Sequence, residues 1–255
     1  NVLFTIITNG SMAPLFLFDV DGTLTPSRGT INEDFRLFMI DFCERHTCHL
    51  VTGSDQQKTI EQIGEYLYNK FQLQFQCSGN EVFSGSKNRI YSSPWKLSSI
   101  QRRYLLNELK ESYFPIRSGL HIEDRVGTIN FSIVGRNASE EERKLYVKWD
   151  TETKERQNIA SKFNRQFPDT EAKIGGETGI DISAKGKDKS QIIKWFEVVD
   201  EPISFFGDAC FEGGNDAPLA ETIIEKSLGF VYNVKDYKET WNILKEIDFA
   251  ISSIH

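Results

Sequence analysis

The stretch "LFLFDVDGTLTPSRG", residues 15–29, runs out of an apolar segment into Asp19 and Asp21, two carboxylates two residues apart, followed by Gly22 and Thr23. Carboxylates at the end of a buried strand cost several kcal/mol unless a positive charge compensates them. Three further polar signatures fall at predicted element boundaries: "TGSD" with Ser54, "KDK" with Asp188 and Lys189, and "GDACFEGGND" from Gly207 to Asp216. Asp19, Asp21 and Asp208 form an oxygen-rich set suited to Mg²⁺, a hard cation that takes a few carboxylates plus phosphate oxygens. A carboxylate attacking phosphorus would need such a cation to neutralise phosphoryl oxygens. Such chemistry needs a donor such as Ser54 and a cation such as Lys189 around the equatorial phosphoryl oxygens. It also needs an acid/base for the hydroxyl, which Asp21 can supply because the chain turns at Gly22.

These residues need a frame. Short apolar runs alternate with helix-period segments in the first third: "LFLFDV" as strand, "INEDFRLFMIDFCERH" as helix with a Thr30–Glu33 capping box, "CHLVTGSD" as strand and "QQKTIEQIGEYLYNKF" as helix. The rhythm returns near the end, from "KSQIIKWFEVV" as helix through "ISFFGD" as strand. The middle differs, with two long helical patterns and two hairpins, which predicts a four-stranded antiparallel sheet backed by helices. The fold class is therefore α/β: a Rossmann-like parallel sheet core, residues 12–84 and 187–255, carrying an inserted α+β cap, residues 85–186. Ligands of such sheets bind beyond the carboxyl ends of the strands, and the four signatures sit at strand or helix boundaries that could converge there. Residues 1–11 read as a disordered or upstream extension.

Among 255 residues, 39% hydrophobic and 26% charged, no run approaches a membrane span, and a net charge of −7 argues against a nucleic-acid partner. The four cysteines show no CxxC spacing, and the four histidines form no constellation. A reducing cytoplasm is the expected compartment.

"DVDGT", the Ser54 turn, Lys189 and "GD…GGND" together resemble the signatures of the haloacid dehalogenase superfamily of phosphotransferases. The cap stretches "GTINFSIVGRNASEEER" and "IGGETGIDI", with "TPSRG" after the first aspartates, resemble the eukaryotic-type phosphomannomutases from Met12 to about Ile247. The resemblance implies Asp19 as phosphorylated nucleophile and Asp21 as acid/base, also ligating Mg²⁺ through its backbone carbonyl. It implies Asp208 as the third metal ligand, with Asn215 and Asp216 orienting these groups. Arg28, Arg125, Arg136 and Arg143 would contact substrate, the cap arginines gripping the phosphate that is not reacting. Bidentate guanidinium pairing suits that task. Arg136 and Arg143 flank the Ser139–Glu142 capping box, so both can converge near a helix N-terminus. Asp181 would contact sugar hydroxyls.

The resemblance further implies a hexose phosphate substrate, a hexose 1,6-bisphosphate activator and a homodimer formed through the cap. At one place this chain departs: Gly179 stands where the family usually has a serine, leaving Thr178 or a backbone N–H as the alternative donor. The leading expectation is a Mg²⁺-dependent phosphohexomutase interconverting mannose 6-phosphate and mannose 1-phosphate. The competing ones are a sugar-phosphate phosphatase on the same scaffold and a non-catalytic sugar-phosphate binder. Arg117 has no counterpart in the family pattern and reads as surface charge.

Overall fold

The structure, a computed structural model, describes residues 14–27, 29–198 and 200–253. The expectation for residues 1–11 lies outside them. The chain divides into two compact units: residues up to Ser92 together with those from Asp188 onward, and Ser93–Lys187.

The first unit is built on a seven-stranded sheet of order β11-β10-β1-β2-β3-β4-β5. Its parallel strands are β1 (Leu15–Phe18), β2 (Cys48–Val51), β3 (Leu73–Gln76), β10 (Ile203–Gly207) and β11 (Gly229–Asn233). Every residue of β1 is buried because the sheet is covered on both faces. Phe16 and Phe18 pack on one face with α1 (Glu33–Arg45) and α8 (Tyr237–Ser252). Leu15 and Leu17 point the other way, toward Ile192, Leu219 and Ile223.

The antiparallel hairpin of β4 (Glu81–Phe83) and β5 (Arg89–Ser92) continues this sheet beyond β3. The boundary expected at residues 84/85 therefore moves to 92/93, since β5 hydrogen-bonds to β4. Polar, exposed β5 carries no apolar run that would have marked it as a core strand. Three local expectations also change. Asn32, not Thr30, caps α1 through its side chain. The next helical pattern breaks at Gly64, whose φ of 81° leaves α2 (Gln56–Ile63) and a short α3 (Glu65–Tyr68). "KSQIIKW" is a 3₁₀ helix, Lys189–Trp195.

The second unit holds an antiparallel sheet of order β6-β7-β9-β8: β6 (Ile122–Arg125), β7 (Thr128–Ser132), β8 (Thr170–Gly175) and β9 (Gly179–Ala184). Ile122, Phe131 and Ile180 stand in register on its apolar face. They pack with residues of α4 (Ser99–Glu111), α5 (Glu140–Thr153) and α6 (Glu155–Gln166). The second long helical pattern is two helices because Lys154 takes a left-handed φ of 56° between α5 and α6. No helix among the described residues is long and apolar enough to cross a membrane.

Candidate active site

Adjacent parallel strands end with the residues that carry charge. Asp19 follows β1, its N–H donating to Phe206 O of β10 at 2.9 Å, and Asp208 follows β10. Lys189 opens the 3₁₀ helix and is 1% exposed. Its Nζ donates to Asp19 Oδ1 and to Asp216 Oδ1, each at 2.6 Å. Asp216 is fully buried, and its Oδ2 accepts from Ala209 N at 3.2 Å. The Thr23 hydroxyl donates to Asp19 Oδ2 at 3.3 Å.

Burial pushes Asp19 up to about 7 against the attraction of Lys189, and Asp216 and Asp208 add to the rise. Burial also raises Asp208, with Asp216 next in effect. Lys189 moves the other way from its own desolvation, because two carboxylates hold its proton and keep it cationic. Two carboxylates thus share one ammonium with a third, Asp208, close by, and the surplus negative charge is what desolvation penalises. One oxygen from each of Asp19, Asp208 and Asp216 lies within 4.8 Å of the others, a grouping that could hold a metal ion. Donors that are all carboxylate oxygens fit a hard divalent cation.

Gly22 is required by the approach of Asp208. A Cβ there would stand 2.2 Å from Asp208 Oδ2, and the φ of 76° already disfavours any side chain. Asp21 lies outside the acidic grouping; Gln62 Nε2 donates to its Oδ1 at 2.8 Å and Lys58 Nζ to its Oδ2 at 3.5 Å. Ser54, half-buried after β2, has its N–H donating to Thr52 Oγ1 at 3.1 Å. Asn215 is exposed in the turn before α7 (Ala217–Glu225). Arg28 lies outside the described residues.

The second unit has its own charged face. Arg125 and Arg136 meet at one atom, Glu123 Oε2, at 2.7 Å and 2.9 Å. Asn130, buried, donates from Nδ2 to Asp181 Oδ1 at 2.7 Å, and Arg136 Nη1 reaches Asn130 Oδ1 at 3.5 Å. Arg125 Nη1 lies 3.9 Å from Asp181 Oδ1. Arg143 is held elsewhere, by Ala138 O at 3.1 Å and Glu177 at 3.4 Å. The Ser139–Glu142 capping box forms in both directions. At Gly179 a Cβ would stand 2.4 Å from Asn130 Nδ2, so the Asn130 amide fills the place of a side chain there.

Thr23, Gln62, Lys58, Glu123 and Asn130 join these groups without having been singled out in the sequence. Glu123 alone had a usable signal, since it sits two residues before Arg125 on a strand and therefore on the same face. Arg117 is exposed as expected, and also donates to the carbonyls of Leu109 in the last turn of α4 and of Ser112, Phe114 and Ile116 after it. A cavity of about 640 Å³ beside that clamp, lined by Leu106, Tyr113 and His121 among others, has no carboxylate in its wall and is not the site of this chemistry.

The family model for eukaryotic phosphomannomutase matches residues 35–250. Phosphomannomutase of Saccharomyces cerevisiae is 33% identical over 241 residues, 91% of this chain and 93% of that protein. Phosphomannomutase of Spinacia oleracea is 34% identical over 211 residues, 80% of this chain and 85% of that protein. A haloacid dehalogenase-like hydrolase from Bacteroides thetaiotaomicron matches in fold with a TM-score of 0.53 at 15% identity, covering 91% of this chain and all of that one. The C-terminal domain of C. albicans trehalose-6-phosphate phosphatase matches with a TM-score of 0.59 at 16% identity, covering 92% and 84% of the two chains. With the aspartates at the carboxyl ends of a haloacid dehalogenase-type sheet, the chain belongs to the eukaryotic phosphomannomutase family.

Proposed function

We propose that the protein is a Mg²⁺-dependent phosphohexomutase interconverting mannose 6-phosphate and mannose 1-phosphate through an aspartyl-phosphate and a hexose 1,6-bisphosphate activator. The observation that carries this reading is the buried Lys189 between Asp19 and Asp216, with Asp208 beside them, in a chain of this family. A nucleophilic carboxylate must be fixed and able to ionise; Lys189 holds Asp19 Oδ1 and opposes the rise that burial causes in it. An Asp19 oxygen forms the bond to phosphorus as the bond from phosphorus to the sugar oxygen breaks. Asp21 gives its proton to that departing oxygen and takes one from the sugar hydroxyl that later attacks the aspartyl-phosphate.

Asp19, Asp208 and the backbone carbonyl of Asp21 would hold Mg²⁺, which would supply neutralisation of phosphoryl oxygens. Asp216 serves from the surrounding shell through Lys189 and Ala209, and Asn215 belongs to the same shell. Ser54 and Lys189 stabilise the equatorial oxygens of the transferring group. Arg28, Arg125, Arg136 and Arg143 bind substrate, the cap arginines taking the phosphate not in reaction, and Asp181 contacts sugar hydroxyls beside Gly179. Guanidinium pairs suit that role, and each of the three cap arginines keeps about 40% of its side chain exposed. The enzyme works in the cytoplasm as a homodimer joined through the cap, with no nucleic-acid or membrane partner.

Incubation with mannose 1-phosphate, Mg²⁺ and catalytic hexose 1,6-bisphosphate, followed by ³¹P NMR, tests the reading. Mannose 6-phosphate with little inorganic phosphate is expected. Inorganic phosphate without isomer means that water takes the phosphoryl group, and the protein is a sugar-phosphate phosphatase.

A further inference from the structure

The polar face of the β6-β7-β9-β8 sheet carries a carboxylate that the proposed chemistry leaves without a task. Glu123 stands opposite Asn130, and Asn130 opposite Asp181, in one cross-strand row. Glu123 Oε2 accepts from Arg125 Nε at 3.2 Å and Nη2 at 2.7 Å, and pairs with Arg136 Nε at 2.9 Å. Asn130 holds a second edge of Arg136 and ties the row to Asp181. Two adjacent guanidiniums repel each other, and long, half-exposed arginine side chains lose much rotamer freedom when an anion orders them.

We infer that Glu123 is a positioning residue of the phosphate site, fixing Arg125 and Arg136 side by side before substrate arrives. The inference rests on the reading that these arginines bind a substrate phosphate. With Glu123 between them the trio keeps one net positive charge, and the ordering cost falls on folding rather than on binding. Charge alone predicts the opposite effect, because a carboxylate beside a phosphate repels it. The sign of the change on removing that charge therefore decides between positioning and mere proximity.

The test compares steady-state kinetics of the full-length protein with mannose 1-phosphate, Mg²⁺ and hexose 1,6-bisphosphate for wild type, Glu123→Gln, Arg136→Ala and the double variant. Thermal unfolding of each checks the fold. Glu123→Gln is expected to raise KM about tenfold, with the larger effect on KM rather than on kcat. The double variant is expected to lose less than the product of the single effects. A KM at or below wild type in Glu123→Gln, while Arg136→Ala raises KM, overturns the inference and leaves the phosphate-site reading standing. An unchanged KM in Arg136→Ala overturns that reading and the inference with it. Should Glu123→Gln not fold, Glu123→Asp decides: it keeps the charge but loses reach, so positioning predicts a raised KM, and a KM at or below wild type contradicts it.

Discussion

Lys189 is the residue on which the site turns, because it is buried and shared by two carboxylates. Lys189→Met leaves Asp19 and Asp216 facing each other without a cation, a change expected to cost about 3–5 kcal/mol in urea unfolding and to abolish turnover. Asp19→Asn also abolishes turnover but removes a carboxylate that burial already pushes up to about 7, so its urea midpoint is expected to move far less. Equal destabilisation by both would show that Lys189 does not offset the charge. Gly22→Ala is expected to lose activity, since its Cβ would collide with Asp208 and its φ is positive. Activity assays of the purified variant check this. The positions of Asp19 and Asp208 at strand ends were legible because each lies in a short pattern there. The bonds of Lys189 were not: its partners lie 170 and 27 residues away, and only folding fixes which carboxylates share one ammonium. Gln62 on Asp21 and Asn130 against Gly179 stayed hidden for the same reason.

Elements were legible where the pattern was long, and less so where one residue's backbone decides. Strands β1, β2 and β10 followed from apolar runs, whereas β3, LQFQ, has no such run and was missed, and the breaks at Gly64 and Lys154 depend on left-handed conformations inside otherwise continuous helical patterns. Lys154→Gly removes the Cβ penalty at that junction and is expected to stabilise the protein by about 0.5–1 kcal/mol in urea melts. On β2, His49 is buried against Phe196, its Nδ1 has no hydrogen-bond partner among the described residues, and burial lowers its pKa to about 4 from 6.5. The folded state therefore disfavours protonation that the unfolded chain accepts. Stability is full above pH 6.5 and falls as pH drops toward 4, by on the order of 3 kcal/mol. His49→Leu is expected to flatten that part of the pH–stability curve, and a wild-type slope in the variant would contradict the assignment.

At the scale of the molecule, each unit has a core of its own, and Ser93–Lys187 is continuous in sequence. A chain of residues 93–187 alone is expected to fold and to unfold cooperatively when followed by circular dichroism. A gradual, non-cooperative loss of signal would mean that this unit depends on the rest of the chain. The division into two units could be seen in the shift from parallel to antiparallel patterning; its border at Ser92 could not, because β5 is an exposed edge strand recognisable only through its pairing with β4. The proposed chemistry converges on one carboxylate, and the direct test is to find phosphorus on it. Protein incubated with hexose 1,6-bisphosphate and Mg²⁺ is quenched in acid, digested and sequenced by mass spectrometry. The account predicts one phosphoryl group on the Asp19 side chain, absent from Asp19→Asn; a phosphoryl group on another residue, or none under conditions of active turnover, would contradict it.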